Sequence, residues 1–409
     1  MKKRLVPPIP KEAAGGLVDQ AIPGIVPTAP RAKIDLSDPW YRPAKHYIRR
    51  EQWNRSILSL LNKLPELTDG EIRVLRYVGL PGQHHLDLLG MHGICNAKSI
   101  RVNYLGFRIG DGAPTQTTPL DQLLVLSNVK FHTPDSIVVH DSVENIGSTN
   151  TPAHLTFRDR GPFDVINLDV CGGILHGSCA SLLNSIKAIL LLQNSRTEPW
   201  LLFLTTMAKY EFIGAEVLSD FFKTIKDNCD SFARFKNHLT TACEKFCFDL
   251  DPSLDNPRSL GAPAFLRLFT LAFGKWLLVN LAKNSPRAVA TLQSAYQFRN
   301  TGRTSPEMLS LSYLVKPVTA GGSDPTKLTR SSAALGTGDS DDEDYAVKLV
   351  APSVEEMRDL DEVWDDNPEL MQAIIDECEE LLRMIGADDA GIQEWRKSHG
   401  IKAKAPNGV

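Results

Sequence analysis

Seven short runs of apolar residues, separated by polar or turn-forming segments, predict the β-strands of this chain. They cover residues 72–80, 99–107, 136–140, 163–170, 199–206, 290–300 and 307–318. Helix-like segments alternate with the first five runs, an arrangement that is typical of a parallel α/β sheet. A short polar turn joins the last two runs and predicts an antiparallel hairpin at the sheet edge. We therefore expect an α/β fold with a Rossmann-like, mostly parallel seven-stranded sheet and a C-terminal antiparallel hairpin.

The segments outside these runs divide the chain into four regions. Residues 1–42 are rich in Pro, Ala and Gly, which predicts a flexible N-terminal arm. Residues 43–318 contain the sheet, and within them residues 207–289 predict a helical insertion, because this stretch is longer than one crossover helix needs. Residues 319–352 predict a disordered acidic linker, and residues 353–409 predict an acidic helical tail.

The composition narrows the class of protein. Hydrophobic residues make up 42% and charged residues 23% of the 409 positions, as in ordinary soluble globular proteins. The most apolar stretch, residues 264–283, contains Arg267 and Lys275 and therefore predicts a buried helix, with no membrane span. The N-terminus lacks the apolar core of a secretory signal, so the seven cysteines are expected to be reduced thiols in the cytoplasm. No second ligand pair accompanies Cys243 and Cys247, and we expect no metal site.

Opposite charges concentrate at the two ends of the chain. A predicted amphipathic helix at residues 43–64 begins with a strongly basic segment, whereas acidic residues dominate beyond residue 339. A basic helix face is suited to phosphate, so we predict nucleic acid as a partner of the N-terminal helix. The acidic tail is predicted either to bind a basic protein partner or to compete for the same helix face. The alternative is that both ends are solvated surface. The basic residues concerned are Lys45, Arg49, Arg50 and Arg55.

Two polar features stand where predicted strands end. The first strand runs into Gly79-Leu80-Pro81-Gly82, and glycine at such a turn lets a ligand approach the backbone closely. The fourth strand ends in Asn167-Leu168-Asp169, a polar group after a buried apolar run. Buried polar groups are costly unless they are hydrogen-bonded or used in function. In open α/β sheets, ligands bind outside the carboxyl ends of the strands, so both features predict one site.

These features resemble the class I S-adenosylmethionine-dependent methyltransferases, over residues 70–318. The resemblance implies S-adenosylmethionine as cofactor, with Gly79, Pro81 and Gly82 under its methionine part. It places Asn103 of the second strand at the ribose. The loop after the third strand, with Asp141 and Glu144, would lie at the adenine ring.

The end of the fourth strand is similar to the DLDPFG and DPPY signatures of methyltransferases that act on amino groups of nucleic acid bases. This similarity implies a catalytic role for Asn167 and Asp169, which would hold the acceptor amino group. The chain departs from the pattern in three places. The first strand lacks its usual acidic residue, Asn103 replaces a ribose-binding carboxylate, and Val170 and Cys171 replace proline and an aromatic residue.

Two hypotheses follow from these matches and departures. The first is a methyltransferase that acts on nucleic acid. The second is a catalytically silent protein of the same fold, which serves as a scaffold or binding subunit in a larger bacterial-type assembly. Cofactor binding distinguishes the two. A dinucleotide-dependent oxidoreductase is disfavoured because no GxGxxG follows a predicted strand, and the chain has no P-loop.

Overall fold

The computed structural model describes residues 34–65, 71–82, 84–109, 117–120, 131–173, 179–284, 286–299, 304–318 and 355–401. Most of the predicted N-terminal arm and all of the predicted acidic linker lie outside these residues. The described residues form an α/β structure in which one mixed sheet is covered by helices on both faces.

The sheet contains nine strands within the described residues, in the spatial order β3-β4-β2-β1-β5-β6-β8-β7-β9. Parallel pairs join β4, β2, β1, β5 and β6, and antiparallel pairs join β6 to β8 and β8 to β7. The strands are β1 Arg73–Gly79, β2 Ile100–Phe107, β3 Thr117–Pro119, β4 Ile137–Val139, β5 Val165–Gly173, β6 Trp200–Met207, β7 Ala288–Phe298, β8 Met308–Pro317 and β9 Met357–Asp359.

All seven predicted strands occur, and the predicted hairpin is β7–β8. The expected number of strands was wrong, because β3 and β9 add one short strand at each end of the sheet. Each has only three residues and no apolar run that sequence periodicity could detect. The hairpin is also not at the sheet edge, since β9 from the tail pairs in parallel with β7.

The order of the parallel strands creates a switch point between β1 and β5. From β1 the chain builds outward through β2 and β4, and it then returns to place β5 and β6 on the other side of β1. Adjacent connections therefore leave the sheet in opposite directions, and a crevice opens at the carboxyl ends of β1 and β5. Strand order alone thus indicates where a ligand would bind.

Helices cover both faces of the sheet. A π-helical segment, Ile48–Asn54, connects α1 to α2. The α-helices are α1 Pro43–Tyr47, α2 Arg55–Leu61, α3 Leu86–Ala97, α4 Pro152–Arg160, α5 Cys179–Leu192, α6 Ala215–Ser231, α7 Ala233–Glu244, α8 Leu250–Asp255, α9 Ala262–Ala282, α10 Leu360–Asp366, α11 Pro368–Met384 and α12 Asp389–Ser398. Helices α4 to α9 contribute to one apolar core, whereas α1 to α3 and the tail helices α10 to α12 form a second core on the opposite face.

Helix α9 is long and apolar enough to cross a membrane, but it is mostly buried inside the fold. Phe269 and Phe273 are fully buried, and their rings stack on each other. The ring of Phe273 also contacts Tyr313 of β8. The expectation of a buried core helix over this stretch is confirmed.

The acidic tail contacts the basic N-terminal segment. Arg50 pairs with Glu377 of α11 at 2.8 Å, and the indole Nε1 of Trp395 donates a hydrogen bond to the backbone carbonyl of Tyr41 at 2.9 Å. Trp395 is only 1% exposed. Of the two roles predicted for the tail, contact with the chain's own N-terminal helix is therefore present in the structure.

Candidate functional site

A cavity of about 570 Å³ opens at the carboxyl ends of β1, β2 and β5. Its walls come from the segments that follow these strands and β4, together with residues of the N-terminal segment. The volume lies within the range of small-molecule sites, and the position is the switch point of the sheet.

The cavity brings together five of the eight residues to which the methyltransferase resemblance gives a role. Pro81 and Gly82 follow β1, Asp141 and Glu144 follow β4, and Asp169 lies on β5. These residues are far apart in the chain, and the parallel strands bring them to one edge of the sheet. The structure thus supports the grouping of the Gly-Leu-Pro-Gly turn with the Asn-Leu-Asp strand end.

Gly79 does not face the cavity as expected. A Cβ atom at this position would lie 3.0 Å from the hydroxyl of Tyr104 and 3.0 Å from Cε1 of Tyr77. The close approach that requires glycine is thus made by two tyrosine rings. Gly106 has a related role, because a Cβ there would lie 2.8 Å from Tyr104 and 3.1 Å from Pro81. Glycine at Gly106 allows the Pro81 turn to pack against β2.

The proposed ribose contact of Asn103 is also corrected. Asn103 lies in the middle of β2, opposite Arg76, and donates a hydrogen bond to Asp135 at 2.7 Å. Strand β2 continues to Phe107, and the residue that follows it at the cavity is Arg108. A cationic side chain therefore stands near the place where a carboxylate was expected.

Asn167 lies beneath the cavity instead of lining it. Its side chain is fully buried, and its Nδ2 donates a hydrogen bond to the Tyr77 hydroxyl at 2.9 Å. The other amide atom, Oδ1, is buried without a hydrogen-bond partner within the described structure. Asn167 is therefore not among the residues that line the cavity, and its amide group bonds a buried tyrosine within the fold.

The basic N-terminal helix supplies buried counter-ions to the site. Lys45 forms an ion pair with Asp169, and both side chains are almost inaccessible to solvent. One helical turn later, Arg49 donates from Nε to Asp87 at 2.7 Å, again with both side chains largely buried. A carboxylate on β5 and a carboxylate at the start of α3 are thus paired with two cations of the N-terminal helical segment.

The prediction that this helix binds nucleic acid phosphates stays a prediction, and the internal ion pairs of its cations argue against it. Besides the pairs of Lys45 and Arg49, Arg50 contacts Glu51 at 3.1 Å and Arg55 contacts Glu51 at 2.6 Å. All four cations have carboxylate partners within the chain. A count of basic residues cannot distinguish such internal pairs from a surface for phosphate, because Lys45, Arg49 and Arg50 find partners that are distant in sequence.

Burial dominates the electrostatics below the cavity. It raises the pKa of the Asp87 carboxyl above its ordinary value, and the nearby Asp169 carboxylate adds to this rise, although the Arg49 guanidinium opposes it. Burial also raises the pKa of the Tyr77 hydroxyl. The tyrosine is therefore neutral at physiological pH and available for its hydrogen bond with Asn167.

A sequence model of the family described as PP_RS20740-like matches residues 35–397. The chain belongs to the PP_RS20740-like family. No curated protein and no solved structure matches the chain. The matched span begins before the N-terminal helix and reaches into α12, so the family unit includes the sheet, the cavity and the tail helices together.

Several residues of the site were missed at the level of sequence. Lys45 and Arg49 were noticed only as surface cations, although their spacing of four on a helix places both side chains on one face. Asp87 lies directly after the Gly-Leu-Pro-Gly turn, at the start of α3, and received no role. Arg108 follows β2, in which the predicted ligand contact was placed within the strand, at Asn103. Among these missed residues, only the spacing of Lys45 and Arg49 could have indicated from the sequence that they act together.

His85 is the most unusual titratable side chain at the cavity. It has a backbone φ of 53°, it is 1% exposed, and neither ring nitrogen has a hydrogen-bond partner within the described structure. Burial lowers its pKa from 6.5 to about 4, and the neighbouring Arg108 and His84 add to this effect. The imidazole is therefore neutral in the folded protein at physiological pH.

This pKa difference predicts a pH-dependent loss of stability. Between pH 6.5 and about 4 the unfolded chain binds a proton at His85 that the folded chain does not, so unfolding becomes easier as the pH falls. The contribution is about 3 kcal/mol in total, because each pKa unit corresponds to about 1.4 kcal/mol. Urea unfolding at several pH values in this window gives the free energy of unfolding as a function of pH. This free energy should fall less steeply with decreasing pH in His85→Asn, since asparagine tolerates a positive φ and does not titrate. If the free energy of unfolding depends on pH in the variant as it does in the wild-type protein, His85 is not the source of this pH dependence.

Proposed function

We propose that the chain binds S-adenosylmethionine in the switch-point cavity and transfers its methyl group to a nucleic acid base. One observation carries this proposal. Pro81, Gly82, Asp141, Glu144 and Asp169, which the methyltransferase resemblance assigns to cofactor and acceptor, all line one cavity. Its position is where open α/β sheets bind nucleotide-like ligands.

The chemistry of the walls suits such a cofactor. Gly82 leaves the first turn open, since an added Cβ would meet the Trp40 indole at an ordinary 3.5 Å and a larger side chain would enter the cavity. The loop after β4 is held rigid, because Asp141 accepts hydrogen bonds from the Ser142 amide at 2.8 Å and from Asn145 at 2.6 Å. Carboxylates at the wall favour the sulfonium and ammonium groups of S-adenosylmethionine.

Methyl transfer requires little more of the protein than alignment of the acceptor with the methyl group. Asp169 is suited to hold an acceptor amino group, because its carboxylate accepts hydrogen bonds at the floor of the cavity. Lys45 pairs with this carboxylate and holds it in position. In this scheme Lys45 is a positioning residue that acts through Asp169.

A second candidate is a silent scaffold of the same fold, and one pair of observations favours it. The Asp169 carboxylate is already engaged by Lys45, and the cation Arg108 stands near the expected place of the ribose-binding carboxylate. A protein that only binds a ligand or a partner would tolerate both features. For either function we infer a cytoplasmic location, since the described cysteines are free thiols.

Isothermal titration with S-adenosylmethionine and S-adenosylhomocysteine tests the proposal. We expect micromolar binding by the wild-type protein and at least a tenfold loss in Gly82→Asp, because the new carboxylate occupies the cavity beside the turn. Gly93→Asp is the matched control, since Gly93 is exposed on α3 and a Cβ there meets nothing within 4 Å. No binding to the folded wild-type protein would contradict cofactor use. Binding without methyl transfer to nucleic acid would favour the silent scaffold.

A further inference from the structure

A second cavity, of about 840 Å³, lies where β6 ends and β8 begins. It shares no lining residue with the first cavity. Strand β6 is the direct neighbour of β5, which carries Asp169, and Asp169 is itself opposite Thr205 of β6. The two cavities therefore open at adjacent strand ends along one edge of the sheet.

An aromatic and cationic wall forms one side of this cavity. The guanidinium of Arg258 lies 4.7 Å from the ring centre of Tyr210, and the Tyr210 ring packs edge-on against Phe265 at 5.7 Å. Arg258 is exposed, and no carboxylate pairs with it in the part of the chain that the structure describes. Its hydrogen-bond donors are therefore available to an anion while its flat face covers the tyrosine.

The remaining lining groups complete a distinct set of contacts. Lys209, just after β6, is partly exposed, and its ammonium group lies 3.9 Å from the carboxylate of the exposed Glu211. At this separation the pair is loose, and the ammonium group can also contact a second anion. Glu307 lines the opposite side and is 6% exposed. Thr304 and Ser305 add hydroxyl groups.

We propose that this second cavity holds a nucleotide unit of the single-stranded nucleic acid substrate, next to the acceptor unit that enters the first cavity. The base lies against the Tyr210–Phe265 wall, the adjoining phosphate contacts Arg258 and Lys209, and the Glu307 carboxylate accepts a hydrogen bond from an amino group of the base. Stacking on aromatic side chains together with cations for the backbone is how proteins bind single strands. Glutamate is a common acceptor for base amino groups.

The proposal assigns nucleic acid to a new surface, because the N-terminal cations that were first expected to bind it are paired inside the fold. It rests on the proposed function only for the claim that the bound strand is a substrate for methyl transfer. Binding of nucleic acid to the second cavity can be measured without any cofactor, so failure of one proposal leaves the other testable.

Fluorescence anisotropy with labelled single-stranded RNA and DNA octamers tests this assignment, with nucleoside monophosphates as competitors. We expect Arg258→Glu and Tyr210→Ala to weaken octamer binding at least tenfold, and Arg258→Gln to reduce its salt dependence by one phosphate contact. Lys283→Glu is the charge-matched control, because it follows α9 at the end opposite to the cavity, about 30 Å away. Its affinity should stay within twofold of the wild-type value.

The outcomes separate the possibilities. Octamer binding that survives in Gly82→Asp but not in Arg258→Glu places nucleic acid in the second cavity, whether or not S-adenosylmethionine binds to the first. Equal binding by the wild-type protein, Arg258→Glu and Arg258→Gln overturns the proposal, as does a wild-type protein that binds no octamer. Binding of monophosphates alone would assign the cavity to free nucleotides and overturn its assignment to a strand. Arg258 is exposed, so loss of binding in its variants does not arise from unfolding, which a thermal melt verifies.

Discussion

Replacement of Lys45 by methionine is expected to lower the free energy of unfolding by about 3–5 kcal/mol. Lys45 is 2% exposed and its ammonium group pairs with Asp169, whose side chain is 6% exposed. Methionine preserves the length of the side chain but leaves the Asp169 carboxylate buried without its counter-ion. Equilibrium unfolding in urea measures the effect directly.

Two variants make this test specific. Arg55→Met removes a cation of the same N-terminal segment, but the Arg55 side chain is 33% exposed and its partner Glu51 keeps Arg50 as a second counter-ion. Its loss should cost no more than about 1 kcal/mol. The double variant Lys45→Met with Asp169→Leu removes both charges and should recover much of the lost stability, because a buried pair replaced by apolar groups is often nearly neutral. Equal stability of Lys45→Met and the wild-type protein would refute the buried pair.

This pair changes how a variant of Asp169 must be interpreted. The catalytic role that the methyltransferase resemblance implies for Asp169 predicts that Asp169→Ala abolishes methylation while the fold stays intact. In the structure the same change leaves Lys45 buried and unpaired, so a loss of stability is expected together with any loss of activity. Activity of Asp169 variants therefore has to be measured at a temperature where the folded state is verified.

Replacement of Trp395 by alanine should be comparably damaging, with a loss of about 3–5 kcal/mol in the free energy of unfolding. Trp395 on α12 is 1% exposed, and its indole donates to the Tyr41 carbonyl just before α1. Alanine would leave a large cavity between the tail and the N-terminal helix and remove this hydrogen bond.

Trp395→Phe and Trp364→Ala serve as controls for the second prediction. Phenylalanine retains most of the buried apolar surface, so a smaller loss is expected. Trp364 on α10 is only partly buried and should also cost less than Trp395. If Trp395→Ala unfolds at the wild-type urea concentration, the tail does not stabilise the domain. The tail would then have to be regarded as an appendage.

The sheet could be predicted from the sequence because its central strands are continuous apolar runs. Strand β6 contains four consecutive apolar residues that are almost completely buried, Leu201, Leu202, Phe203 and Leu204. Such a continuous apolar run is typical of a strand that is buried on both faces of a sheet. The grouping of Gly82 with Asp169 could also be predicted, since parallel strands place their carboxyl ends at one edge. For these features a local pattern was sufficient.

The internal ion pairs could not be predicted because they join distant parts of the chain. Lys45 and Asp169 are 124 residues apart, and Arg50 finds Glu377 in the tail. A local sequence pattern contains no information about which carboxylate lies above a given lysine. The same limit explains β9, whose residues Met357–Asp359 become a strand only because the edge of β7 is available to them.

The error at Asn103 has a different cause. The second apolar run was identified with correct bounds, but its ligand-facing end was placed four residues too early, on a side chain that points to Asp135. A strand alternates its side chains between two faces, and the residues that meet a ligand come after its last paired position. In β2 that position is Phe107, which makes Arg108 the relevant residue.

A crystal structure of the protein grown with S-adenosylhomocysteine tests the central claim most directly. We predict electron density for the nucleoside in the switch-point cavity, with the methionine part beside Gly82 and the adenine near Asp141 and Glu144. Density for the ligand at any other site, or an empty cavity in crystals that contain saturating ligand, would contradict the account.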